Sequence, residues 1–427
     1  MIKLILLVLS FSITFHYAYI EFINPVYEYA YYLYNNPDIE SILLTYLFLI
    51  FPLIFYKNKP TAAYYGIAFI YIMCYLPGQL MLMFMWKYTF LDLVVAQIVL
   101  LLSMSILFYV SSKVSKVSVN HEVILPSQKF NNIVIGLTII TTVLIVLTYY
   151  KSMRIVSFGD VYDLRFETNA IETSFILDYM LLWQTYVFIP YFFAIGIVMK
   201  KYSYIFIGFV LGITIYSATG AKLALLMGVT ILVVNFLYKK KGDFLKNMLL
   251  YSTVFMLFLI IFIPNEIPLL YLKSMTFIRT FGTPGWTLVT YYDFFSEHEY
   301  TYYGHINIIN FLFSNYPYGS YSLGQMIGIE YSGTSDANFN ANFWSSDGFA
   351  AIGVGGPLLA TFFLSIYLFI LNNISRFYSP HFLCLFLVGY WQALLNVPLM
   401  TSMLSGGGLL VLLLLQIKNK KQLKVEI

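Results

Sequence analysis

Apolar runs of about twenty residues recur along this chain with short lysine-bearing breaks between them, and one such run crosses the hydrocarbon core of a bilayer as a helix. Within lipid each backbone N–H and C=O has to find its partner inside the segment or in a closed barrel, and runs this continuous are helical. Charged residues are 10% and hydrophobic residues 60% of the 427, against roughly a quarter charged in a soluble domain. That stock cannot cover an aqueous surface. The expected fold is an all-α polytopic membrane protein, a single transmembrane domain over residues 1–427.

Spans are expected near 2–20, 40–56, 62–85, 90–110, 131–150, 176–199, 203–217, 222–238, 247–264, 349–371, 380–398 and 404–417, about twelve in all. The pair over 203–238 also reads as a re-entrant unit. "MIKLILLVLSFSITFHYAYI" has the charged start of a secretory signal but no small-x-small cleavage site, so an uncleaved first span is the better reading. Cys74 and Cys384 sit inside apolar runs, far apart, and read as small buried hydrophobes. They offer no metal-ligand spacing, and no cofactor is expected. A net charge of +4, spread in short clusters at span ends, gives no footprint for nucleic acid.

With both termini cytoplasmic, the inner segments are 57–59, 111–129, 200–201, 239–246, 372–380 and the tail from 418. Together with Lys3 they hold 17 of the 24 basic residues, as the positive-inside rule requires. Of the 20 acidic residues only Glu122, Asp243 and Glu426 fall inside. Two outer segments stand out: 151–175, and 265–348, a large loop before the tenth span with ten tyrosines. So long a connection is uncommon unless functional, and short helices lying on the membrane surface are expected in it.

Lysines follow the inside rule, but three of the four arginines, Arg154, Arg165 and Arg279, fall outside. Arginine presents a planar, permanently charged fork that grips phosphate in two places, so the pattern points to an anion held at the outer face. The plainer alternative is pairing with local carboxylates, Asp163 and Glu167 for Arg165. Arg279, in "LKSMTFIRTFGTPGW", has no acid within ten positions. Lys222, after "TG" at an outer turn, is a fourth cation, either for the anion or snorkelling at a span end. In "SDANFNANFWSSDGFAAIGVGG", Asn338, Asn340, Asn342, Trp344 and Asp347 suit hydrogen bonding to hydroxyls and stacking on sugar faces. Gly353, Gly355 and Gly356 read as helix packing.

The span number, the large late loop, "YDLR", "TGAK", "IRTFGTPGWTLVTYYDFF" and "NFNANFWSSDGFAAIGVGG" together resemble a bacterial O-antigen polymerase of the Wzy type. An Arg-x10-Gly spacing found in some members is not matched after Arg154 or Arg165. The resemblance implies a GT-C-like membrane glycosyltransferase of the inner membrane, working toward the periplasm in lipopolysaccharide and polysaccharide biosynthesis. It would move a glycan from undecaprenyl diphosphate to the nonreducing end of a second lipid-linked repeat unit, without a metal. Its partners would be those lipid-linked oligosaccharides, the bilayer, a chain-length regulator and a flippase.

Arginines can neutralise a departing diphosphate, so Arg154, Arg165, Lys222 and Arg279 are its expected contacts, with Arg165 and Arg279 acting in catalysis. An acceptor hydroxyl must lose a proton. Asp293 is the favoured base, with Glu297, His298, Glu299, His305 and Asp347 as other candidates. An O-antigen ligase, which typically shows a loop histidine where this chain has its asparagines, is the competing enzyme. A lipid-linked oligosaccharide flippase is the competing transporter, and predicts cations in mid-span.

Overall fold

A computed structural model of the chain describes residues 1–113, 125–157 and 159–417. His121 and Glu122 of the inner segment, and the tail with Glu426, lie outside the described residues. Among the described residues the structure is helical, with no strand. Nine helices are long and apolar enough to cross a membrane: α1 (Ile2–Ala30), α3 (Ala62–Met85), α4 (Phe90–Ser111), α5 (Gln128–Tyr149), α7 (Phe175–Val198), α8 (Tyr202–Thr219), α9 (Lys222–Lys239), α10 (Phe244–Phe262) and α14 (Ser345–Ser375).

Three expected spans fall on helices shorter than these nine. Residues 40–56 fall on α2 (Ile39–Phe55), whose last turn tightens at Pro52. Residues 380–398 form two seven-residue helices, α15 (Pro380–Phe386) and α16 (Val388–Leu394), and the last span is α17 (Leu399–Leu415). The breaks fall where the backbone loses donors or rigidity, at Pro398 and at Gly406–Gly408. The pair α8 and α9 is two full 18-residue helices packed as a hairpin, not a short re-entrant unit.

Helix α3 is the centre of the bundle, 94% buried over its most apolar stretch. Glycines let its neighbours approach: a Cβ at Gly66 would lie 2.5 Å from the Trp391 ring, and one at Gly78 2.5 Å from Leu288. Polar side chains are paired across helices, as Gln97 to Thr45 (2.8 Å) and Gln184 to Thr141 (2.7 Å). Wider π turns occur in five helices among the described residues, and four of them, at Tyr19–Ile23, Tyr71–Tyr75, Gln184–Phe188 and Met275–Gly282, end just before a proline: Pro25, Pro77, Pro190 or Pro284. Proline has no N–H for the carbonyl four residues back, and its ring pushes against that turn, so the helix locally widens.

The segment 265–348 is not a loop of surface helices. Its first third is a continuous helix, α11 (269–297), made of Leu269–Ser274, the π turns Met275–Gly282 and Thr283–Glu297. Ten residues of Thr283–Glu297 are buried, and this stretch packs along the C-terminal half of α3. Only α12 (Asn307–Phe313) matches the expectation, with Ile308, Phe311, Leu312 and Phe313 all strongly exposed. A further short helix, α13 (Leu323–Ser332), is closed by a capping box between Ser322 and Gln325. At the opposite end of the bundle, Asn372 bonds the Ser111 and Lys113 carbonyls, and Tyr56 and Tyr64 donate to Asp243.

Candidate functional site

Between spans, 151–175 folds back over the α8–α9 turn. Its helix α6 (Val161–Asn169) is held where the Arg154 amide bonds the Ser217 carbonyl and Arg165 Nη2 donates to the Gly220 carbonyl (both 3.1 Å). Gly220 has φ +64° there, a left-handed turn that glycine adopts without strain. Arg165 and Lys222 both lie over the Tyr162 ring, each 5.7 Å from its centroid. Glu167, expected beside Arg165, instead clamps Arg154 through two bonds of 2.6 and 2.7 Å. That bidentate pair holds the Glu167 carboxyl below its usual range and corrects the assignment of Arg154 to the anion, since its fork is already filled.

Arg279, on the π turns of α11, is exposed, and no carboxylate among the described residues lies within ion-pair distance of it. Nearby Lys273 is buried and bonds only a neutral partner, Asn265 Oδ1 at 2.6 Å; burial lowers its pKa. Neither of the two cavities described next is lined by an arginine.

The first cavity, ≈ 330 Å³, is lined by His305 and by five asparagines, Asn307, Asn310, Asn338, Asn340 and Asn396. Asn338 and Asn340 are exposed to it, as the sugar-binding expectation requires. Asn342 and Trp344 are not; both are fully buried. Asn342 accepts from the Trp344 and Ser345 amides and donates to Pro284 O and Thr287, which seats the π turns Ser345–Phe349 on α11. Trp344 Nε1 donates to Thr361 within α14. Alternation along the chain had grouped three asparagines that burial separates. Of the three glycines expected to pack, Gly353 and Gly356 do, a Cβ there lying 2.6 Å from the Tyr300 hydroxyl and 2.0 Å from Gly348 O, whereas one at Gly355 would meet nothing within 4 Å.

Asp347 is also buried, on those π turns. Its Oδ2 accepts from the Leu399 amide at the N-terminus of α17 (2.5 Å) and from Ser346 (3.1 Å). Its Oδ1 has no hydrogen-bond partner among the described residues, and faces His305 Nε2 at 3.7 Å, which has none either. The tautomer follows from a chain of donors. Thr301 Oγ1 donates to the Ala350 carbonyl (3.1 Å), so toward His305 Nδ1 (2.8 Å) it accepts, and Nδ1 carries the proton. Nε2 and Asp347 Oδ1 then face each other 3.7 Å apart, within ion-pair distance when the ring carries both protons but too far for a direct hydrogen bond. Two buried polar atoms without hydrogen bonds across such a gap suit a bridging group that both donates and accepts, such as a hydroxyl. The Tyr303 hydroxyl is a third buried group without a partner. Burial, helped by Asp347, pushes its pKa up to about 12, so it stays protonated at ordinary pH.

Asp293 lines the second cavity, ≈ 380 Å³, on another side of α11. Its oxygens are taken by Lys87 Nζ (2.7 Å), the Tyr88 hydroxyl (2.5 Å) and the Tyr331 hydroxyl (2.7 Å). The oxygens of Asp293, the expected base, are thus already occupied, whereas the unpaired polar atoms are those of His305 and Asp347 beside the first cavity. Glu297 and His298 also line this cavity, whereas Glu299 lines neither. Sequence reading missed "MWKYTF" (85–90), which fell at the short break between two expected spans, and Asn396, hidden in an expected span. The available signals were the lysine between two aromatics and the polar residue just before Val-Pro.

Comparison of the chain with family models, with curated proteins and with solved structures finds no match.

Proposed function

We propose that this membrane-embedded protein polymerises lipid-linked oligosaccharide repeat units at the outer face of the bacterial inner membrane, in a GT-C-like bundle of about twelve crossings with both termini cytoplasmic. The observation that carries the reading is the pair of facing polar atoms without hydrogen bonds, His305 Nε2 and Asp347 Oδ1, buried beside an asparagine-lined cavity. A sugar hydroxyl is the donor such a gap accepts, and amide side chains are the usual partners of the hydroxyls around it.

In the step that follows, the acceptor hydroxyl gives its proton to His305 Nε2. Its oxygen bonds the anomeric carbon of the donor glycan, and the bond from that carbon to the diphosphate oxygen breaks. The electron pair leaves with undecaprenyl diphosphate. Asp347 stabilises the imidazolium, and outward cations, Arg279 and the Arg165–Lys222 pair around Tyr162, meet the diphosphate charge. A ligase reading shares this proton transfer. A flippase has no use for a buried histidine and carboxylate held without hydrogen bonds beside a polar pocket.

Deleting the gene in its host and running the surface polysaccharide on a gel tests the reading. A single repeat unit in place of a ladder is expected. Loss of all attached glycan with accumulated lipid-linked polymer would instead mark a ligase, and untranslocated single units a flippase. Arg279→Lys is expected to abolish the ladder at unchanged protein level; an intact ladder removes that residue from the mechanism.

A further inference from the structure

The second cavity plays no part in the proton transfer, yet it is built. Trp86, Tyr88 and Tyr292 form one wall, with the Trp86 ring 4.8 Å from Tyr292 and 5.3 Å from Tyr88. Tyr31 and Tyr331 form another, edge to face at 5.0 Å. Tyr31 reaches this place with φ +60°, a left-handed backbone uncommon outside glycine and asparagine, which the surrounding contacts must hold. The hydroxyls of Tyr88 and Tyr331 both turn to Asp293, which in turn grips Lys87. Ring orientations and the one internal ion pair are thereby fixed together.

Aromatic faces around a few fixed polar groups recognise a ring with an apolar C–H face and a rim of hydroxyls, a pyranose. An isoprenoid chain would fit the rings but would strip water from the Lys87–Asp293 pair without replacing its hydrogen bonds. The cavity is also tied to the first one. Leu323 and Gly324 of α13 line the His305 cavity, and Glu330 and Tyr331 of the same helix line this one. On α11, Tyr291 faces the former while Tyr292 and Asp293 face the latter. Gly324 and Tyr331 are about 10 Å apart at a helical rise of about 1.5 Å per residue, the scale of a short oligosaccharide.

We propose that the cavity walled by Trp86, Tyr88, Tyr292 and Tyr331 around Asp293 is a second saccharide subsite, holding a pyranose of the same glycan whose reacting end lies at His305. The proposal rests on the reading that the substrate is a lipid-linked glycan. Its test uses the purified full-length chain in detergent, titrated with the oligosaccharide that mild acid releases from the host's lipid-linked repeat units. Tryptophan fluorescence and calorimetry follow binding.

Saturable binding to the wild type is expected, at least tenfold weaker in Asp293→Asn and several-fold weaker in Tyr331→Phe, with shortened ladders in cells. Tyr331→Phe removes only a hydroxyl, and serves if Asp293→Asn fails to accumulate. Absence of saturable binding to the wild type, or wild-type affinity and wild-type ladders in these variants, overturns the subsite and leaves the polymerase reading standing. If gene deletion leaves the ladder intact while Asp293-dependent binding is found, the polymerase reading falls and the subsite stands.

Discussion

Asp347 and Asp293 are both carboxylates at the same end of the bundle, each lining or backing a cavity, and their surroundings differ in one respect. Asp293 has a donor for each oxygen, three in all. Asp347 is more deeply buried and yet keeps one oxygen unpaired, opposite an unpaired histidine nitrogen. Leaving a buried acceptor unsatisfied costs about 1–3 kcal/mol, and here two such atoms are placed face to face. A satisfied carboxylate fixes the shape of a pocket, whereas an unsatisfied one in a closed pocket waits for a ligand.

The sharpest way to break this contrast is to neutralise each acid in turn. Asp347→Asn is expected to abolish the polysaccharide ladder at unchanged protein level, because a neutral amide no longer stabilises the imidazolium that His305 becomes on taking the proton. Asp293→Asn is expected only to shorten the ladder; equal losses would erase the distinction between the two cavities. Next in size is His305→Gln, for which the initial rate of polymer formation by purified protein should fall about 10²–10⁴-fold, the usual contribution of a positioned acid–base group. Wild-type rate in that variant would remove His305 from the proton transfer.

The two asparagines within "NFNANFW" sharpen the comparison from the stability side. Asn342→Ala leaves buried amide and carbonyl groups without partners, so thermal unfolding in detergent should show a loss of about 1–3 kcal/mol. Asn340→Ala, on the exposed wall of the His305 cavity, should leave unfolding unchanged and weaken oligosaccharide binding. The smallest effect is expected at Arg154 and Glu167, an exposed pair. Since pairing lowers the folded pKa of Glu167, whatever the pair contributes is complete above the ordinary glutamate range, about pH 4.3, and is lost as pH falls through the lowered value. Hydrogen exchange over 160–169 should therefore quicken modestly in acid, and Arg154→Gln should remove that pH dependence.

The elements differ in how far they were legible. Helices such as Phe90–Ser111 and Gln128–Tyr149 were readable because a long apolar run has one solution in lipid. Residues 283–297 were not, because "TPGWTLVTYYDFFSE" is polar enough to pass for a loop, and only its fit against Pro77, Gly78 and Met81 on α3 makes it core. At the site, Asn338, Asn340 and Asp347 were singled out from composition, and Asn342 and Trp344 came with them, since spacing along the chain carries no record of which side chains are covered. The partner of Glu167 was misread for a related reason: Arg165 is nearer in sequence, but the turn over Ser217 brings Arg154 to it.

The sequence by itself determined that this chain lives in lipid as a helical bundle, and that its arginines and most of its acids avoid the lysine-rich breaks. Those are properties of transfer between water and hydrocarbon, and they sum residue by residue. Only the tertiary structure decided that His305 and Asp347, 42 positions apart, meet without hydrogen-bonding each other, and that Asp293 is spoken for by Lys87, Tyr88 and Tyr331. Hydrogen bonding is short-ranged and directional, so which polar atoms are satisfied depends on packing across the bundle and not on order along the chain.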